Sequence, residues 1–93
     1  MELEVQNGFA YMIGRLVAAE KALQTTVSSN RRGQELADIL RVNLTMAREN
    51  LPSNLQLAGI SVELLATAEE GFDASMRAAL RGAVSGKFLL PDR

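Results

Sequence analysis

The chain has 93 residues, 47% of them hydrophobic and 23% charged, with ten basic and eleven acidic side chains and a net charge of −1. It contains no cysteine and no histidine, which excludes disulfides, thiolate chemistry, cysteine-based zinc sites and the commonest proton carrier near neutral pH. The balanced charge speaks against nucleic acid as a main partner, because duplex binding draws its affinity from a basic excess.

Residues 1–86 read as one helical domain and 87–93 as an apolar tail. A chain this short buries only somewhat over ~60% of its unfolded surface, so its margin of stability is thin. With disulfides and metals removed from the options, self-association is the remaining support.

The first helix is expected over residues 4–27, with Phe9, Met12, Ile13, Leu16, Leu23 and Val27 forming one apolar stripe of period near 3.6. Gly8 and Gly14 weaken it by about 1 kcal/mol each relative to alanine. A kink or a close crossing near Gly14 would account for that cost. Ser28, Ser29 and Asn30 read as the end of this helix and the cap of the next, since their side chains compete with the helix for backbone groups.

A second helix is expected from Arg31 to Asn50, with Leu36, Ile39, Leu40, Leu44 and Ala47 as its stripe. Val42 and Met46 lie off that stripe and widen the apolar arc, which suggests an oligomer interface. Asn50-Leu51-Pro52 reads as its end. Ser53–Ile60 is then an apolar connection with a short helical turn closing at Gly59. Ser61 is the expected N-cap of a third helix, whose stripe is Val62, Leu65, Phe72, Met76, Leu80 and Val84. Asp73 and Arg77, four apart, can pair along it. Gly86 suits a C-cap, and Phe88, Leu89 and Leu90 make a tail apolar enough to dock in cis or in trans. The expected fold is therefore all-α, a three-helix bundle built from a long hairpin plus a third helix, associating into a dimer or larger assembly.

No apolar run reaches the ~18 residues of a membrane span, and the acidic N-terminus lacks signal-peptide character, so a cytoplasmic location is expected. Asn43-Leu44-Thr45 matches the N-glycosylation pattern but falls inside a helix. Gly82 to Lys87 resembles a phosphate loop only superficially: it has three residues between its glycines where four are needed, and Phe88 stands in place of Ser or Thr. Glu63, Glu69, Glu70 and Asp73 form an acidic patch, yet a di-metal bundle site draws carboxylates from several helices and usually adds histidine. Without histidine, only Lys21 or Lys87 could serve a hydroxyl nucleophile as base, and neither has a partner motif.

No enzymatic activity, cofactor or metal is expected. The sequence points to a non-catalytic protein–protein interaction module: a small regulator, inhibitor or assembly factor, of the kind that phages and other mobile elements also carry. Its expected partner-binding residues are Glu69, Glu70, Asp73, Phe88, Leu89 and Leu90. The alternative is a binder of nucleotides or other anions at a subunit interface, using Arg31 and Arg32 at a helix start, with Tyr11 to stack.

Overall fold

The computed structural model describes residues 3–85, and these form three helices with no strand among them. α1 is Leu3–Ser29, α2 is Gly33–Leu57 and α3 is Leu65–Ser85, the last preceded by a single 3-10 turn at Val62–Leu64. The all-helical three-helix expectation holds.

α1 is built on good helix formers (Ala18, Ala19, Glu20, Lys21, Ala22) and ends in a run of hydroxyl residues. Those hydroxyls hold the last turn by bonding back to it. Thr26 donates to the Ala22 carbonyl at 2.7 Å, while Ser28 and Ser29 donate to the carbonyls of Thr25 and Thr26. Asn30, in the left-handed region at φ 55°, then stops the helix.

The next helix starts later than its sequence suggests. Ser29 Oγ accepts from the Arg31 amide within the turn, so the Ser28–Asn30 group does not cap α2. Its N-cap is Arg32, extended and without a side-chain bond to the helix. Gly33 follows at φ 59°, a conformation that leaves glycine the natural residue there.

Nor does α2 stop at Asn50. It runs through Pro52 to Leu57, although proline removes the amide that would bond the Arg48 carbonyl, at a cost of about 3 kcal/mol. Leu51 and Leu55 are buried. Burying two leucines is worth roughly 3–6 kcal/mol, enough to offset the proline. The helix closes as a Schellman motif: the Gly59 amide donates to the Gln56 carbonyl at 3.0 Å and the Ile60 amide to Leu55 at 2.9 Å. Gly59 is left-handed at φ 81° and closes α2 itself, in place of the separate turn expected within a connection over Ser53–Ile60. Ser61 then accepts from the Glu63 amide, capping the 3-10 turn that leads into α3.

Leu36, Leu40, Leu44, Leu51 and Leu55 of α2 and Phe72 of α3 supply the large buried side chains. More than half of the buried hydrophobic residues are alanines, and α1 contributes only small ones: Ala10, Ala18 and Ala22. They share one face with Gly14, at intervals of four. There α1 and α3 touch backbone to backbone. A Cβ on Gly14 would overlap the Ala68 carbonyl oxygen and lie 2.9 Å from the Phe72 amide nitrogen. A Cβ on Gly71 would overlap the Tyr11 carbonyl oxygen. The close crossing expected at Gly14 is present, with Gly71 as its counterpart.

That contact reverses the orientation implied by the α1 stripe. Of its six members only Ile13 packs on the core; Phe9, Met12, Leu16, Leu23 and Val27 are exposed. Helices that meet at a glycine crossing leave no room for large side chains, so the small face turns in and the large face turns out. α3 follows its expected stripe in the middle, where Phe72 is buried and Leu65, Met76 and Leu80 pack against the core, but Val62 and Val84 are exposed.

Candidate functional site

Two of the three carboxylates in the expected partner-binding patch are already engaged. Arg48 of α2 reaches across to α3, where its Nη1 donates to Glu69 at 2.6 Å and its Nε and Nη2 donate to Asp73 at 2.9 and 3.3 Å. Asp73 thus takes Arg48, twenty-five positions away, in place of the local Arg77. The hydrogen bond to Asp73 is the largest influence raising the Arg48 pKa above its usual value, with the charge of Glu69 adding to it and partial burial opposing it. Glu70 stays exposed beside this clamp.

Arg48→Met is expected to cost about 1–2 kcal/mol. Charge-assisted bonds are worth roughly 1.5–3 kcal/mol, and all three groups are partly exposed, which reduces the yield. Urea titrations at low and high salt check this, with the difference between wild type and variant shrinking as salt rises.

The three anion-binding residues are not brought together within the chain. Arg31 pairs with Glu35 at 3.4 Å, both well exposed, and Arg32 is an exposed N-cap. Tyr11 lies far down α1, roughly 27 Å along the helix from its C-terminal end. It is only partly exposed, and its backbone belongs to the Gly71 crossing.

Val42 and Met46 are exposed on α2. Met46 also lines a shallow groove of about 440 Å³ between α1 and α2, together with Val17, Glu20, Gln24 and Asn43. Asn43 itself is committed: its amide donates to the hydroxyl of the buried Thr25 at 3.1 Å, tying α2 to α1. Phe88, Leu89 and Leu90 lie outside the described residues.

The feature that sequence periodicity misplaced is an extended apolar surface on α1. Val5, Phe9, Met12, Leu16, Leu23 and Val27 project from α1 on the side opposite its Ala/Gly face, with exposures from 48% to 72%. At about 100 Å² each they present on the order of 600 Å² of apolar surface, at the upper limit for the largest patch on a typical monomer. The signal that could have located it is the second stripe, Ala10, Gly14, Ala18 and Ala22. A helix with small residues on one side and large ones on the other has two faces to cover.

Among the described residues no helix is long and apolar enough to cross a membrane, and no group of three or more acidic side chains is placed to hold a metal ion. The chain matches no protein-family model, no curated protein and no solved structure.

Proposed function

We propose that the chain is a non-catalytic helical interaction module, a small regulator, inhibitor or assembly factor, whose binding surface is the outer face of α1. One observation carries this reading: α1 buries alanines while six of its large apolar side chains face outward. Exposed apolar area on that scale marks contact surfaces, and an aromatic and a methionine among the six are residue types enriched where proteins meet. The acidic start of α3 contributes less, because Arg48 occupies Glu69 and Asp73. Within one chain Arg31 pairs with Glu35 and Tyr11 is remote from it, so the anion-binding alternative requires Arg31, Arg32 and Tyr11 to be brought together across a subunit interface.

The test is site-specific photo-crosslinking in cells that naturally make the chain. A benzophenone side chain at Leu16 is expected to give a discrete polypeptide adduct, and the same group at the exposed Arg81 of α3 is expected to give none. No adduct from position 16, or equal yields from both positions, would overturn the reading.

A further inference from the structure

We infer that the occupant of the α1 face is a second copy of the chain, docked helix to helix in parallel about a two-fold axis, with Arg15 of each copy paired to Glu20 of the other. The inference rests on reading this face as an interaction surface and adds its partner and register.

The spacing supplies the first argument. Val5, Phe9, Met12, Leu16, Ala19 and Leu23 alternate intervals of four and three, which is the seam of a coiled coil, with Phe9, Leu16 and Leu23 at a and Val5, Met12 and Ala19 at d. It extends from Val5 to Leu23, roughly 27 Å of helix. Such a seam packs against another of the same period, and a second copy has one.

Charge complementarity supplies the second and fixes the direction. On one flank, the e positions are Gln6, Ile13, Glu20 and Val27; on the other, the g positions are Gly8 and Arg15, the following one, Ala22, being buried in the chain's own core. In a parallel pair each g residue faces the e residue five positions further along the other helix. Arg15 then meets Glu20 of the second copy, twice by symmetry. In an antiparallel pair g faces g and e faces e, so Arg15 would meet no carboxylate and Glu20 no cation. Both residues are exposed. Within the chain Glu20 receives only a long 3.4 Å contact from the Gln24 amide, and Arg15 forms no ion pair among the described residues.

The remaining architecture permits this contact. α2 and α3 cover the Ala10–Gly14–Ala18–Ala22 side, opposite the seam, so a second α1 approaches unobstructed. Two faces of about 600 Å² bury roughly 1,200 Å², the lower bound of a specific interface. Met46 shares a groove with Glu20, which places it on the flank that Arg15 of the second copy approaches.

Sedimentation equilibrium of the full chain is expected to return twice the 10.1 kDa mass. R15E and E20R should each weaken the dimer by roughly tenfold, the scale of two lost pairs plus repulsion, and the double variant R15E/E20R should restore it. The chain has no cysteine, so Val5→Cys at d and Leu23→Cys at a report direction. Each alone should form a disulfide-linked dimer on oxidation, because d faces d and a faces a in a parallel pair, whereas a faces d in an antiparallel one. Linkage only when the two variants are mixed would mean an antiparallel pair and overturn the inference, as would a monomer at high micromolar concentration. A monomer whose position 16 still crosslinks another protein leaves the interaction reading standing; a monomer with no adduct removes both.

Discussion

Gly14→Ala and Gly71→Ala are each expected to destabilise the chain by about 3 kcal/mol or more, at the top of the usual overpacking range. The reason is what the new methyl group would strike. At Gly14 it overlaps the Ala68 carbonyl oxygen, and at Gly71 the Tyr11 carbonyl oxygen. Neither obstacle is a side chain that can rotate away; each belongs to a helix, so α1 and α3 must separate along the crossing. Helix propensity predicts the opposite sign, since alanine is favoured over glycine by about 1 kcal/mol in a helix interior. Gly8→Ala isolates that effect, because a Cβ there meets nothing within 4 Å. Urea denaturation followed by circular dichroism should show Gly8→Ala more stable than wild type and the other two much less so. Equal stability of Gly14→Ala and wild type would refute the crossing. The double variant should cost less than the sum, because helices already forced apart by one methyl have made room for the other.

The same crossing explains what could and could not be read in the sequence. The helix-two stripe was legible because Leu36, Leu40 and Leu44 are both the most apolar residues at their spacing and the ones that fill the core. Ser61 and Gly59 were legible because capping and left-handed turns are local chemistry. Helix one was not, since hydropathy ranks Phe9 and Leu16 above Ala10 and Ala18, whereas close packing against Gly71 selects by size. Pro52 misled for a related reason: its penalty is local, but Leu51 and Leu55, which outweigh it, act through tertiary burial. The Arg48 clamp spans twenty-one and twenty-five positions, beyond any pairing rule that works along one helix. The candidate site was missed on the same ground, for five of its six residues, Phe9, Met12, Leu16, Leu23 and Val27, fell on the stripe expected to face the core.

The two phenylalanines of the described helices put that assignment to the sharpest test. Phe72 is fully buried and Phe9 is 67% exposed, although each sits on an apolar stripe of its own helix. Phe72→Ala is expected to cost about 3–5 kcal/mol through lost burial and the cavity left behind. For a domain with a stability of roughly 5–15 kcal/mol in all, that removes a large share of it. Phe9→Ala, measured in dilute solution where association is negligible, should change stability by less than about 1 kcal/mol: little burial is lost and alanine is the better helix former. Its cost should appear elsewhere. If the α1 faces associate, wild-type Tm rises with protein concentration, because binding to the folded state adds to its stability; Phe9→Ala should flatten that dependence while leaving the dilute-limit Tm in place. A Phe9→Ala variant that is as unstable as Phe72→Ala at every concentration would mean that α1 packs with its large face inward, and the small-residue crossing with α3 would have to be abandoned along with the surface built on it.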